Sequence, residues 1–417
     1  MTPGQHQVTI LCVTDSGCEE ACALEIGRWT KARTTRHRNV VELRETLETA
    51  AVLGYHLQTA RRVLVQITNP LDDIEHQEPE HLDLLFPPEL TFKAEADVLA
   101  LRLEHYADKK AQEKAKQGNN EENEEEHAHS PLLLPQELIE EVGGWMHSLG
   151  RNVKLTHPDI IVYAVATEEG IRIGIDVVGR PLAKRDYRVM LSRRSLKSTV
   201  AAATVLYAGA KEGETILDPL GEDGTLAIEA ALLLSRTSPL QFCRGFAFEK
   251  FPAFAGRDWD AWKKEQNKRG PLQRVTAYGT SLQEMKAIRT NSKLAGVEKD
   301  IHATKVTMEW VETKFAKDSI DRIITAPIPS GKSIPQKHAE KYADELFYQA
   351  EFVLKKNKTM TCITEKPGEL LVPAKKYGFS VVERRPVLMG KRRMAIITFK
   401  NGKRKEDKDE STEKSSR

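Results

Sequence analysis

The sequence predicts an α/β protein with two parts, a small α+β module followed by a doubly wound domain with a mostly parallel sheet. Two observations predict this architecture. Strand-like and helix-like runs alternate through the second half of the chain, a pattern that winds helices over both faces of a parallel sheet. In addition, residues 215–230 combine a short apolar strand, a tight turn and a helix that begins at Thr225. Sheets of this type hold nucleoside cofactors at such a turn.

Length and composition set the bounds for these domains. The chain has 417 residues, enough for two or three domains, and its 40% hydrophobic and 30% charged residues are typical of a soluble globular protein. No apolar run is long enough to span a bilayer, and residues 1–7 lack the pattern of a secretory signal. An odd set of five cysteines is typical of a reduced chain: Cys12, Cys18, Cys22, Cys243 and Cys362. We therefore expect a cytoplasmic protein that is not embedded in a membrane.

Hydrophobic patterning divides the first half into two predicted domains. Residues 1–70 are predicted to form a ferredoxin-like α+β domain, with strands and helices at 8–13, 18–30, 40–43, 47–60 and 62–67. The domain at 71–180 begins with a loop or short helix and is then predicted to contain a helix and two strands, at 133–149, 160–166 and 171–177.

Two polar segments are predicted to be disordered. Residues 108–130 carry seven acidic and four basic side chains, and the tail at 401–417 has no hydrophobic residue. His127 and His129 lie inside the first of these segments, where a polar loop is favoured over a metal site. Cys18 and Cys22 lack two further soft ligands nearby, so we expect no metal site.

The segment 181–400 is predicted to be the doubly wound domain. Its strands are predicted at 215–217, 274–278, 322–325, 359–363, 380–383 and 394–399. Its helices are predicted at 225–234, 282–295 and 339–354. The last two strands form a hairpin around 384–391, which adds a reversed strand to the sheet.

The turn in 215–230 resembles the first motif of RNA methyltransferases that use S-adenosylmethionine, whose usual form is Asp-Pro-x-Cys-Gly-Ser-Gly-Thr. Asp218, Pro219, Gly224 and Thr225 fit this motif, whereas residues 221–223 (Gly-Glu-Asp) replace its core. Residues 173–188 resemble the passage from a THUMP domain into the methyltransferase domain, with the pattern Asp-x-x-Gly-x-x-Leu-x-Lys-Arg-x-Tyr-Arg. The likeness continues through the helix at 195–203 and the Asn-x-x-x-Ala-Gly-Val run at 291–297.

This resemblance is to THUMP-containing enzymes that modify tRNA or ribosomal RNA guanosine at the exocyclic amine. It implies a THUMP domain at 71–180 and a Rossmann-like class I methyltransferase domain at 181–400, with RNA as the partner. The implied cofactor is S-adenosylmethionine, held by Asp218, Pro219, Gly221, Gly224, Thr225, Gly279 and Glu309.

Three positions of the implied cofactor site depart from the family pattern. Glu222 stands where the family has glycine, so that a side chain limits the approach of the cofactor to the backbone. The second strand ends in Gly279 and Thr280 instead of the acidic residue that accepts the ribose hydroxyls. Glu309 replaces the adenine-binding Asp at a shifted register.

The fourth motif of the family departs further. It reads Asn/Asp-Pro-Pro-Tyr/Phe, in which polar groups grip the target amine and the aromatic ring stacks on the flipped base. The positions that would be catalytic are here Ala326, Pro327, Ile328 and Pro329. The polar acceptor and the aromatic ring are both missing, and the nearest polar candidates are Ser330 and Lys332. The resemblance therefore implies the scaffold of an enzyme with weak or lost catalysis.

A basic run with one tyrosine lies where the two halves meet. The candidate RNA-binding residues are Arg180, Lys184, Arg185, Tyr187, Arg188, Arg193, Arg194 and Lys197. Such clustering suits phosphate contact, and the planar side chains can stack on unpaired bases. The alternative is a solvated face or arginines locked in ion pairs. A second basic cluster at 28–38 could extend the same surface.

Three interpretations of function remain open. The first is an RNA-binding protein on a methyltransferase scaffold with little or no catalysis. The second is an active methyltransferase with a divergent site, and the third is a scaffold for a partner methyltransferase or another RNA-processing protein. A dinucleotide-binding dehydrogenase is disfavoured because no Gly-x-Gly-x-x-Gly follows a strand. The sequence identifies neither the RNA that is bound nor the oligomeric state.

Overall fold

A computed structural model describes residues 5–68, 74, 78–97, 135–167, 169–332 and 334–402. The predicted disordered insertion at 108–130, with His127 and His129, lies outside the described residues, as does the tail beyond 402. The contacts divide the chain into two compact units. The first comprises the described residues up to Pro181 together with Cys243–Trp262, and the second comprises Leu182–Phe242 and the described residues from Lys263 onward.

The first unit is built on one eight-stranded sheet with the order β2-β3-β1-β4-β8-β7-β5-β6. Neighbouring strands are antiparallel except that β5 runs parallel to both β6 and β7. The strands are β1 (Gln7–Thr14), β2 (Thr34–His37), β3 (Val40–Thr46), β4 (Ala60–Gln66), β5 (Thr91–Asp97), β6 (Asn152–Val153), β7 (Ile160–Thr167) and β8 (Gly170–Asp176). The helices are α1 (Glu19–Ile26), α2 (Leu47–His56), α3 (Leu82–Leu85) and α4 (Pro135–Ser148).

This sheet runs through both domains predicted in the first half of the chain. Leu64 of β4 lies opposite Asp176 of β8, so strands from 1–70 and from 71–180 share one hydrogen-bonded ladder. The predicted elements of both ranges are confirmed, and β2, β5 and β6 are additional. The assignment of 71–180 as a THUMP domain stays a prediction.

The segment Cys243–Trp262 corrects the predicted domain boundary, because it lies within 181–400 in sequence but belongs to the first unit. Its backbone is anchored there, since Phe248 N–H donates to the carbonyl of Val177 at 2.8 Å. Its aromatic rings also need an apolar environment. Trp262 lies edge-on to Tyr55 at 5.3 Å between ring centroids, and Phe246 lies edge-on to the same ring at 5.7 Å. Burial of these rings holds the segment in place.

The second unit is a doubly wound domain, as predicted. Its seven strands have the order β11-β10-β9-β12-β13-β15-β14, and the first five are parallel whereas β15 is antiparallel to both neighbours. The strands are β9 (Thr215–Asp218), β10 (Arg274–Gly279), β11 (Ile301–Lys305), β12 (Ile320–Thr325), β13 (Leu354–Thr364), β14 (Phe379–Met389) and β15 (Arg392–Asn401). The helices are α5 (Ser198–Tyr207), α6 (Thr225–Leu234), α7 (Trp259–Gln266), which begins in the segment described above, α8 (Leu282–Leu294), α9 (Gln336–Val353) and α10 (Leu371–Lys376).

The strand order places one turn at a special point of the sheet. From β9 the chain proceeds to β10 on one side, while β12 pairs with β9 on the other. The turn after β9 therefore lies at the point where the order of the strands reverses, and doubly wound folds bind ligands at such points. A packed core that includes Leu217, Ile323 and Phe347 supports this edge from below.

Candidate functional site

The turn after β9 keeps the backbone geometry of a ligand-binding turn. Gly224 lies just before α6 with φ +84°, and a Cβ there would approach Ile288 Cα to 3.2 Å. Gly221 N–H donates to the carbonyl of Tyr278 at 2.8 Å, which ties the turn to the end of β10. Both glycines pack closely against neighbouring elements, since a Cβ at Gly221 would also lie 3.2 Å from the carbonyl oxygen of Tyr278.

Glu222 occupies the same turn in a left-handed conformation, with φ +46°. This finding explains why glycine suits the position, because a side chain at positive φ costs about 1 kcal/mol or more. The carboxylate of Glu222 is largely buried, forms an ion pair with Arg194 at 2.5 Å and accepts a hydrogen bond from Ser192 Oγ. Burial is the main reason that the pKa of Glu222 is raised.

Asp223 binds the start of α6 to the segment before α5. Its carboxylate accepts hydrogen bonds from Thr225 Oγ1 at 2.8 Å and from the hydroxyl of Ser195. Its carbonyl accepts one from Asn291 Nδ2 at 2.8 Å, and the same amide donates to the carbonyl of Met190. The segment 190–195 is therefore fastened over the turn at several points.

Asp218, the last residue of β9, is buried beneath the turn. Its Oδ1 accepts from Thr325 Oγ1 at 2.8 Å and from Leu220 N–H at 3.2 Å. Burial raises the pKa of Asp218 to about 7, and the nearby carboxylates of Glu222 and Asp223 add to the rise. Near neutral pH a substantial fraction of this carboxyl group is protonated.

A carboxylate that the sequence analysis missed lies beside the end of β10. Glu284, in the first turn of α8, accepts hydrogen bonds from Thr280 N–H at 2.7 Å and Thr280 Oγ1 at 2.8 Å. Ser281, the N-cap of α8, accepts a hydrogen bond from Glu284 N–H at 3.1 Å. The Ser-x-x-Glu spacing was the signal that could have revealed it. At Gly279 a Cβ would lie 2.7 Å from Met285 N, so this glycine is also required.

Two cavities lie at this edge of the sheet. The one against the turn has a volume of about 20 Å³ and is lined by Asp218, Gly221, Glu222 and Thr225, among others. The other measures about 400 Å³ and lies beneath the loop that follows β12. Ligand pockets usually measure about 300–1,000 Å³. The first is therefore far too small for a nucleoside, and the second is of ligand size.

The loop after β12 contains the predicted catalytic positions. Ala326, Pro327 and Pro329 line the larger cavity, and Ile328 does not. Ser330 accepts a hydrogen bond from Lys366 Nζ at 2.6 Å and donates its own hydroxyl to Glu369. The first four positions of the loop offer only apolar side chains.

Two of the predicted RNA-binding residues need a correction. Arg185 donates to Glu229 at 3.0 Å with both side chains fully buried, and Tyr187 donates to the same carboxylate at 2.7 Å. Burial and the carboxylate raise the pKa of Tyr187 well above its ordinary value. These residues hold α6 against the segment before α5 and offer no surface to RNA.

The remaining residues of the basic run differ in exposure. Lys184 and Arg193 are exposed, whereas Arg180, Arg188, Arg194 and Lys197 are half-buried. Arg188 donates to Ser195 Oγ at 2.6 Å, so it braces the same segment. In the second cluster, Lys31 and Arg33 are exposed, and His37 is buried between Glu42 and Glu169.

The larger cavity carries an excess of positive charge. Arg194 is paired with Glu222, and Arg392 is paired with Glu365. Arg193 and Lys332 also line it, and neither forms an ion pair within the part of the chain that the structure describes. Part of its lining is apolar and comes from Leu196, Ile334, Ile363 and Met394.

Other predicted site residues lie apart from these cavities. Pro219 is buried in the turn, and Glu309 is exposed in a short 3-10 turn beyond β11, where it lines neither cavity. The described residues contain no group of three or more His, Cys, Asp and Glu suited to a metal ion. Among the same residues, no helix combines the length and the hydropathy required to cross a bilayer.

The strand order of the second unit and the turn at its point of reversal define the Rossmann-like class I methyltransferase fold. Residues 185–392 match the UPF0020 family model, described as the RMKL-like methyltransferase domain. This part of the chain therefore belongs to that family, and the resemblance to RNA methyltransferases is confirmed.

Curated relatives match parts of the chain. The ribosomal RNA large subunit methyltransferase K/L of Vibrio campbellii is 32% identical over 154 residues, which are 35% of this chain and 22% of that protein. A Synechocystis sp. protein whose name is RNA methyltransferase slr0064 is 27% identical over 51% of this chain and 55% of its own length. The chain thus spans about a fifth to about half of these relatives.

Solved structures match both units in fold. SMU.472, crystallised in complex with SAH, covers 95% of this chain and 99% of its own, with a TM-score of 0.71 and 17% identity. TrmN from Thermus thermophilus covers 95% of this chain and 100% of its own, with a TM-score of 0.64 and 20% identity.

Proposed function

We propose that this chain is an RNA-binding protein on a methyltransferase fold, acting on tRNA or ribosomal RNA, in which methyl transfer is weak or lost. The observation that carries the proposal is the loop after β12. Three of its first four residues line a cavity of about 400 Å³ and offer it no polar side chain. A target amine would find no acceptor there, and a flipped base would find no aromatic ring.

The absence of these groups bears directly on the reaction. Methyl transfer to an exocyclic amine requires the amine to be held in line with the donor, and misplacement of a reacting group by about 1 Å costs about 100-fold in rate. Base–aromatic stacking contributes about 1–3 kcal/mol per base. Losing both supports would leave a bound nucleotide poorly oriented.

The turn after β9 does not fit S-adenosylmethionine in this conformation. The cavity against it holds about 20 Å³, and Asp218, Glu222 and Asp223 place three carboxyl groups around it. A cofactor of that size would find too little space there. We therefore assign no step of any reaction to this turn.

Retention of RNA is supported by the larger cavity and its charge. Its apolar lining residues can accept the face of any base, and Arg193 and Lys332, which also line it, offer uncompensated positive charge.

Filter binding to a tRNA transcript at several salt concentrations tests RNA binding. Replacing both Arg193 and Lys332 with Gln should weaken binding about tenfold and reduce the salt slope by about 1–2. The matched control is the same change at Lys211 and Lys317, which precede β9 and β12 at the opposite edge of the sheet. Salt-insensitive or absent RNA binding would instead favour the scaffold for a partner protein.

The second candidate is an active methyltransferase with a divergent site. The retained geometry of Gly224 and the ligand-sized cavity favour it. Calorimetric titration with S-adenosylmethionine and transfer of labelled methyl to the transcript distinguish the two candidates. Micromolar binding together with incorporated label would establish the enzyme.

A further inference from the structure

We propose that Glu222, Arg194 and Ser192 form a latch that closes the donor side of the site, so that one residue, Glu222, decides whether an adenosyl donor can bind. This inference deepens the proposed function, on which it rests. It names the physical cause of donor exclusion and predicts that a single substitution reverses it.

The latch lies between the two cavities. Arg194 and Glu222 line both the cavity of about 20 Å³ and the cavity of about 400 Å³. Leu196 and Ala326 are the other side chains that line both. Withdrawal of the ion pair would therefore join the small cavity to the large one and give the turn the space that it lacks.

The contacts explain why the latch stays closed. Glu222 binds two partners at once, Arg194 at 2.5 Å and the hydroxyl of Ser192, and its side chain is only 11% exposed. Asp223 fastens the same segment through Ser195. A largely buried carboxylate that binds two partners is more costly to displace than an exposed ion pair.

The backbone makes Glu222 the residue to change. Its φ of +46° is a conformation that glycine adopts freely, so that Glu222→Gly removes the side chain without asking the turn to rearrange. Gly221 and Gly224, which pack against β10 and α8, remain in place. Loss of the ion pair frees Arg194, whose side chain is 35% exposed and can turn toward solvent.

The experiment measures binding of the methyl donor, S-adenosylmethionine, to the full-length chain by calorimetry. The wild type should bind at millimolar concentrations or not at all, and Glu222→Gly should bind at least tenfold more tightly. Glu222→Gln, which removes the charge but keeps the side chain, should gain less. The matched control is Asn357→Gly, because Asn357 also has positive φ, at +64°, but lies exposed in β13 away from both cavities.

The outcomes separate the latch from the proposed function. A correctly folded Glu222→Gly that binds the donor no more tightly than the wild type overturns the latch, whatever the RNA measurements show. Labelled methyl transfer by the wild type overturns the proposed function, and it does so whatever the ratio of donor affinities. If both hypotheses hold, Glu222→Gly binds the donor but still transfers no methyl group, since the loop after β12 is unchanged.

Discussion

At the scale of single residues, the site is shaped by carboxylates in unusual surroundings. Asp218 is buried at the end of β9. Burial raises its pKa to about 7, so the neutral carboxyl group predominates below that pH. Glu222 was recognisable from the sequence as a departure from glycine, but its partner was not. Arg194 lies 28 positions before it, in a run that suggested RNA contact. Sequence patterns show which residue type is out of place and do not show what compensates for it.

The raised pKa of Asp218 predicts a pH-dependent stability. The folded state holds this proton more tightly than the unfolded state, so the contribution of Asp218 to stability falls as pH rises from 3.8 to about 7. A difference of about three units corresponds to about 4 kcal/mol. Asp218→Asn keeps an oxygen for Thr325 and Leu220 and does not ionise. We expect it to be about 2–4 kcal/mol more stable than the wild type at about pH 8, with little difference near pH 4.

Denaturant unfolding across this pH range measures the effect. Thr325→Val serves as a control, since it removes one hydrogen bond and leaves the carboxyl group in place. A stability difference between Asp218→Asn and wild type that does not change with pH would contradict the assignment.

The buried contact between Arg185 and Glu229 predicts a structural role for Arg185. Removing one partner of a buried ion pair leaves an unpaired charge and costs about 3–5 kcal/mol. Arg185→Gln should therefore destabilise the second unit by about 3 kcal/mol, while Arg193→Gln, at an exposed position, should change stability by about 0.5 kcal/mol or less. RNA affinity per folded molecule should fall only in Arg193→Gln. A stable Arg185→Gln with weakened RNA binding would contradict the buried geometry.

At the scale of elements, local pattern predicted the strands and helices well. Six of the seven strands of the second unit and the helix that begins at Thr225 were predicted, because apolar runs and turn residues mark their limits. The strands β2, β5, β6 and β11 were not predicted. In β11 only Ile301 and Ala303 are buried, and β2 carries polar side chains along an edge, so neither shows an apolar run.

The turn between β9 and α6 predicts a cost for any side chain at Gly224. Gly224→Ala would combine positive φ with a contact of 3.2 Å to Ile288 Cα, and we expect a loss of about 2–3 kcal/mol. Gly213→Ala is the matched control, because Gly213 has φ +81° but nothing within 4 Å of an added Cβ. The control should lose only about 1 kcal/mol. Thermal or denaturant unfolding of both variants isolates the steric part, and equal losses would contradict the close contact.

At the scale of the whole molecule, the architecture was predicted in outline and the division of the chain was not. The net charge of +2 did not indicate a nucleic-acid-binding surface. The alternation of strands and helices identified the doubly wound unit. The assignment of 243–262 failed because its aromatic partners, such as Tyr55, are distant in sequence. No local pattern can reveal which of two cores accepts such a segment.

The aromatic cluster predicts that stability of the first unit depends on Trp262. This ring is 4% exposed and lies against Tyr55 and Phe248. Trp262→Ala should cost about 3–5 kcal/mol. Trp310→Ala, at a ring that is 62% exposed, should cost about 0.5 kcal/mol or less. Similar melting temperatures for both variants would contradict the assignment of the segment to this core.

The place of Cys243–Trp262 in the first unit has a consequence for biosynthesis. A ribosome makes the chain from the amino end, at about 5–20 residues per second, and domains usually fold as they emerge. Here the first unit cannot complete its core until the chain has grown past Trp262. All eight strands of its sheet, which end at Asp176, therefore leave the ribosome several seconds before the rings that cover Tyr55, and chaperones can bind the growing chain during that period.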